Sequence, residues 1–276
     1  MEVLKDVLFL ISGLATGLLS ALFGVGGAVV SQPAIRALGV PALNAVSTTL
    51  PTVLPGAITG TLRYWKAGFI DRRVVAWTVP FGVVASVGGS LLSRKVPGDG
   101  HLLTLATACL LGFTTWRIAR VALRSSAEDA PPTDGLPETD AELADPRPEG
   151  KLSNPTAMAL IGLGSGLLSG LLGVGGGVVL VPAFSEILGL PLKKTIATSL
   201  ACVGLFAIPG TITHALLGGV IWKVVLLLSL GIVPGAFVGS KIVIVAKERR
   251  LRLAVSAFLA ILAVGYFLSE LRALIS

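Results

Sequence analysis

The apolar residues of this chain run in long blocks, separated by glycine clusters, short basic loops and one acidic stretch. In the first part the blocks cover about Val3–Phe23, Leu43–Leu62, Val74–Leu92 and Leu102–Val121. In the second they cover about Thr156–Leu172, Thr195–Leu217, Val220–Ala246 and Leu251–Leu268. Apolar runs of about 18 residues or more read as helices that cross a hydrocarbon layer about 30 Å thick. After the opening block of each part the run is cut, by Gly24-Val25-Gly26-Gly27 and by Gly173-Val174-Gly175-Gly176-Gly177. A short apolar stretch then leads to Leu38 or Leu188. At about 12 residues it cannot span a bilayer, which predicts half-helices or re-entrant segments. The pattern is that of an all-α polytopic membrane protein.

The two parts repeat one another. GLLSALFGVGGAVVSQPA (Gly17–Ala34) matches GLLSGLLGVGGGVVLVPA (Gly166–Ala183) at an offset of 149. The offset then becomes 150 and holds: Gly39, Pro41, Thr48 and Leu50 match Gly189, Pro191, Thr198 and Leu200, and Gly89-Ser90 matches Gly239-Ser240. A fixed offset carried by glycine and proline identities marks internal duplication. The division expected is a first membrane repeat (1–124), a linker (125–150) and a second membrane repeat (151–276).

Charge sharpens this picture. Charged residues make up 13% of the 276, against 53% hydrophobic; a soluble domain carries about 25% charged. Eight of the 15 acids and five prolines fall in Ser125–Gly150, which has no aromatic residue. That composition predicts a disordered linker. A soluble enzyme and a nucleic-acid binder are excluded. The net charge of +7 sits in clusters beside apolar blocks, where topology signals and lipid headgroup contacts belong. One cluster is Arg63, Lys66, Arg72 and Arg73; another is Lys247, Arg249, Arg250 and Arg252. Their repeat-equivalent loops are weaker in charge. Both clusters and the linker lie in the cytoplasm only if the two parts have opposite orientation, which predicts inverted-topology repeats with both termini outside. The first block, with no small-residue cleavage site, reads as a retained helix. Cys109 and Cys202 lie inside apolar runs and are expected to be free, buried thiols.

The paired breaks are the leading site candidates: Gly24, Gly26 and Gly27, with Gly173, Gly175, Gly176 and Gly177. Glycine lets backbone approach a ligand closely. A helix starting after such a break offers unpaired N–H groups and the positive end of its dipole to an anion. Breaks related by inverted symmetry are how many transporters build a central site, whereas close packing through small residues is the structural alternative. Asn44, Thr48, Thr49, Thr198 and Ser199 offer donors without a buried charge, although such hydroxyls also bond their own helix. Thr48 with Thr198 is the favoured pair, and Ser20 with Ser169 is a second. Gln32, opposite Val181, makes any site asymmetric. Arg36 and Glu186 are repeat equivalents and, with His214, are the gating or coupling candidates; helix-end positions facing water or headgroups are the alternative. No catalytic constellation, metal-ligand cluster or phosphate-loop lysine is present, so neither enzyme activity nor a cofactor is expected.

The duplicated GLLSxLxGVGGxVV segment, the proline after it and the Gly39–Thr49 stretch resemble the TauE/SafE sulfite-exporter family of prokaryotic and plant membrane permeases. The resemblance covers everything but the linker. It implies transport of small sulfur-containing anions, such as sulfite or short organosulfonates, across the cytoplasmic membrane. Ala28 and Gln32 depart from the second motif, which has Val178 and Val181, so the two motifs are not identical. The reading is an alternating-access exporter driven by potential or a proton gradient, with a small anion and membrane lipid as its partners. A passive anion channel and a non-transporting scaffold or assembly factor are the competing functions, and homo-oligomerisation is left open.

Overall fold

The computed structural model describes residues 2–93, 109, 154–173, 175–246, 251, 254, 255, 257, 258 and 261. The linker and most of the blocks expected at Leu102–Val121 and Leu251–Leu268 lie outside them. The described chain is helical without strands: α1 (Glu2–Phe23), α2 (Ala28–Ala37), α3 (Ala42–Lys66), α4 (Arg72–Ser93), α5 (Pro155–Leu172), α6 (Gly177–Pro182), α7 (Leu192–Leu216) and α8 (Trp222–Val245). A π-helical turn, Ala183–Ile187, prolongs α6. It falls where the repeat offset grows from 149 to 150. One added residue widens the helix so that Leu188 N–H reaches back five residues to Ala183 O, at 3.4 Å.

Helix ends follow from local chemistry. Gly68 and Gly218 take left-handed backbone (both φ 74). Beyond them Phe69 N–H donates to Tyr64 O (3.1 Å) and Gly219 N–H to His214 O (3.4 Å), closing α3 and α7 with the same six-residue loop. Asp71 Oδ1 accepts Arg73 N–H (3.0 Å) and Val74 N–H (3.1 Å), capping the start of α4.

Among the described residues five helices are long and apolar enough to cross a membrane: α1, α4, α5, α7 and α8. α3 has 25 residues but is more polar, because Ser47, Thr48, Thr49 and Thr52 point inward and are buried. The apolar side chains left on the outside, among them Leu4, Ile11, Val84, Leu160, Leu226 and Leu230, form the lipid-facing surface of a multi-pass membrane protein. Cys202 is buried as expected, but Cys109 is exposed. An apolar block places a residue in the membrane without choosing which face of the helix it occupies.

The two sequence halves interlock. α1 of the first half lies along α8 of the second, and α5 of the second along α4 of the first. Both pairs are parallel. A Cβ on Gly13 or Gly17 would meet the carbonyls of Leu228 or Ile232, and one on Gly162 or Gly166 those of Thr78 or Gly82. These are repeat-equivalent contacts, in which glycine lets helix backbones touch. α3 and α7 cross the centre antiparallel, with Leu50 beside Gly210, Ala57 beside Gly204 and Leu200 beside Gly60. The end of α3 and the starts of α4 and α7 therefore share one end of the bundle, which carries Arg63, Lys66, Arg72, Arg73, Lys193 and Lys194. At the opposite end the charges among the described residues are fewer, and Lys223 Nζ pairs with Asp6 Oδ1 at 3.1 Å.

Candidate functional site

The two glycine breaks meet at the middle of the bundle. A Cβ on Gly175 would lie 3.9 Å from Gly26 Cα, 3.1 Å from Val203 Cγ1 and 3.8 Å from Val53 Cγ2. Val53 and Val203 are each the twelfth residue of a 25-residue helix, which puts the junction at mid-depth. Gly24, Gly26, Gly173, Gly175 and Gly176 all have positive φ, from 67 to 85, a conformation that favours glycine. Gly27 does not (φ −61). Gly177 is demanded by space instead, since a Cβ there would run into Val25 backbone and lie 2.6 Å from Gly24 O.

From this junction α2 and α6 start without a side-chain cap. Their first N–H groups and dipole ends therefore face the interior. Around these starts stand polar atoms with no protein hydrogen-bond partner: Thr16 Oγ1, Ser169 Oγ, and both the amide N and O of Gln32. All three residues are fully buried. Thr16 and Ser169 belong to the walls that the breaks touch. A Cβ on Gly27 would lie 2.7 Å from Thr16 Cγ2, and one on Gly176 would lie 3.3 Å from Ser169 Cβ. Gln32 sits one turn into α2, above Ala28. Buried polar groups are normally bonded, and these three residues stand close to the two breaks. Between Asp6 and Arg36, and between Lys151 and Glu186, the sequence holds no charged residue. The junction is thus lined by neutral groups.

Other expected residues hold the halves together, in reciprocal pairs. Thr49 Oγ1 donates to Gly173 O at 3.3 Å, as well as to Ala45 and Val46 O of its own helix. Its equivalent Ser199 donates to Gly24 O at 2.7 Å. Thr48 Oγ1 accepts the Ile221 N–H at 3.1 Å, and Thr198 Oγ1 the Asp71 N–H at 3.0 Å. Apart from those within the helix of Thr49, each of these bonds runs from one half to the other. Thr48 and Thr198 therefore tie the loops before α8 and α4 at opposite ends of the bundle, well away from each other. Asn44, half-buried, donates from Nδ2 to Gly219 O at 3.2 Å. Arg36 and Glu186 end α2 and the π turn, also at opposite ends; both are half-buried, and the structure does not bring them together. His214 is buried between Ser47 Oγ (3.1 Å from Nδ1) and Gly170 O (3.4 Å from Nε2).

Sequence reasoning missed Thr16, one turn before Ser20. The signal was available, since its equivalent at offset 149, Ser165, is also a hydroxyl. It missed Tyr64 as well, whose equivalent at offset 150 is His214. Tyr64 OH donates to Ala21 O at 2.6 Å, the counterpart of the His214–Gly170 contact.

The family model for sulfite exporter TauE/SafE matches residues 9–266. The probable membrane transporter protein YunE of Bacillus subtilis is 27% identical over 254 residues, covering 86% of each chain. The probable membrane transporter protein MJ0441 of Methanocaldococcus jannaschii is 25% identical over 280 residues, covering 92% of each. The probable membrane transporter protein MamO of Magnetospirillum gryphiswaldense is 29% identical over 245 residues, which are 82% of this chain and 38% of that protein. No solved structure matches.

Proposed function

The chain belongs to the TauE/SafE sulfite exporter family, and on that premise we propose that it exports small sulfur-containing anions, sulfite or short organosulfonates, across the cytoplasmic membrane. The anion binds at the junction of the two breaks. Backbone N–H groups beside Gly24–Gly27 and Gly173–Gly177 hold it, together with Thr16, Gln32 and Ser169. The observation that carries this reading is the set of fully buried, partnerless polar atoms at the starts of two uncapped half-helices. A site made of dipoles rather than a lysine or arginine binds a monoanion and still releases it, which transport requires.

Transport proceeds by alternating access between inverted repeats. The antiparallel run of α3 and α7 and the reciprocal bonds support it. Thr48–Ile221 closes one end and Thr198–Asp71 the other, so one tie opens while its equivalent holds. The basic end, with Arg63, Lys66, Arg72 and Arg73, faces the cytoplasm, as does the linker, and the α1 start faces outside. An inside-negative potential then favours export of a monoanion by about 2.3 kcal/mol per 100 mV.

Flux in proteoliposomes of sulfite, sulfate, thiosulfate and a short sulfonate, under imposed potential and pH gradients, tests the proposal. Saturable flux of sulfite or the sulfonate, reduced at least about tenfold in Gln32→Leu or Ser169→Ala, is expected; tenfold corresponds to about 1.4 kcal/mol. Folded protein that carries none of these anions would sink the substrate assignment, and unsaturable flux would indicate a channel.

A further inference from the structure

The hydrogen bonds that fix the two ends come in repeat-equivalent pairs, and one pair, made within each half, is chemically unlike. At the basic end Tyr64 OH donates to Ala21 O. At the opposite end the equivalent bond is made by His214, which faces Gly170 O through Nε2 and Ser47 Oγ through Nδ1. Ser47 in turn has Ala197 as its equivalent, so the basic end has no partner for a second ring nitrogen. His214 is therefore the titratable member of a pair whose other member is a tyrosine. It stands beside Thr48–Ile221 and Asn44–Gly219, the ties that close its own end.

We propose that His214 is a proton-operated clasp on the outer gate, with no counterpart at the cytoplasmic gate. The assignment of outside and inside rests on the function proposed above. Gly170 O only accepts, so Nε2 carries the hydrogen, and in the neutral ring Nδ1 accepts the Ser47 hydroxyl. A proton arriving from the outer solution binds Nδ1 and turns that acceptor into a donor. The Ser47 hydroxyl must then swing away and find another acceptor, and the ring becomes a buried cation. The groups facing it are Ser47 of α3, Gly170 of α5 and the nearby hydroxyls Ser86 and Ser90 of α4, placed by their approach to Gly210. The charged residues at this end, among those described, are Glu2, Lys5 and Asp6 of α1, Arg36 of α2 and Lys223 of α8. Asp6 and Lys223 form their own pair. An imidazolium in a wall of hydroxyls and carbonyls favours the arrangement that lets water reach it. Acid outside thus opens the outer gate, and the Tyr64 tie does not respond.

Two readouts test this. The first is initial flux as external pH falls from about 8 to about 5, the range in which histidine ordinarily titrates. The variants are His214→Tyr, which copies the other half, and His214→Gln, which keeps a donor and an acceptor but cannot titrate. The wild type is expected to accelerate at least about threefold, and both variants to give flat profiles; a variant that retains the wild-type profile overturns the clasp. The second readout needs no transport: amide hydrogen exchange of Ile221 relative to Asp71, its equivalent at the other end. The ratio of their protections is expected to fall on acidification in the wild type and to stay constant in His214→Tyr. A constant ratio in the wild type overturns the clasp even where flux is robust. A shifting ratio in protein that carries no anion leaves the clasp standing and removes the transport reading instead.

Discussion

The two halves share a backbone plan down to single hydrogen bonds, yet the side chains at equivalent positions differ where the halves meet. The break of the first half runs Gly24 to Ala28 and its following helix carries Gln32. The break of the second runs Gly173 to Gly177 and its helix carries Val181. Tyr64 answers His214, Ala197 answers Ser47, and among the described residues the π-helical turn falls in the second half. What duplication kept is the set of glycines and hydroxyls that lock one half onto the other. What it let drift are the groups that would tell the two ends, and the two sides of the junction, apart. A symmetric scaffold with an asymmetric lining suits a device whose two ends must open under different conditions.

The largest effect expected from breaking this comparison comes at Gly177 and Ala28. Gly177→Ala drives a Cβ into the Val25 backbone and should cost about 3 kcal/mol, the upper range for overpacking. The reverse change, Ala28→Gly, should cost only about 0.5–1 kcal/mol, through backbone entropy in a helix. Thermal unfolding of detergent-purified protein compares them, and equal losses would mean the breaks pack symmetrically. Next come the two threonines. Thr198→Val and Thr48→Val keep the shape but strand the Asp71 or Ile221 N–H, at about 1–3 kcal/mol each. The two losses should agree within about 1 kcal/mol, because each hydroxyl accepts one equivalent bond. A loss confined to one of them would show that only one end is tied. The smallest effect belongs to Asp6→Asn. Its partner Lys223 has a side chain 61% exposed, and surface pairs contribute about 0–1 kcal/mol. A loss above that, measured in the same unfolding series, would make the pair part of the closure at that end.

Much of the plan was legible in the chain. Block edges such as Val3–Phe23 and Val74–Leu92 fall close to α1 and α4, because an apolar run long enough to span a bilayer has few alternatives to a helix. The breaks were legible because glycine clusters interrupt those runs twice at one offset. The interlocking of α1 with α8 and of α4 with α5 was not. Gly13, Gly17, Gly162 and Gly166 announce close packing without naming the partner helix. The roles of Thr48 and Thr198 were equally hidden, since repeat equivalence says that two residues occupy like environments and not that they face each other. Thr48 bonds the loop before α8 and Thr198 the loop before α4, at opposite ends of the bundle. Thr16 and Tyr64 are paired with different residue types, Ser165 and His214, so neither stands out as a repeat identity.

The central claim is that the junction of the two breaks binds the transported anion, and equilibrium binding of sulfite to the purified protein tests it most directly. The wild type should bind one sulfite per chain, saturably, and Thr16→Val combined with Ser169→Ala should weaken that binding at least tenfold, about 1.4 kcal/mol, while the protein unfolds at an unchanged temperature within a few degrees. Undiminished sulfite binding by the folded double variant would contradict the account and place the site elsewhere.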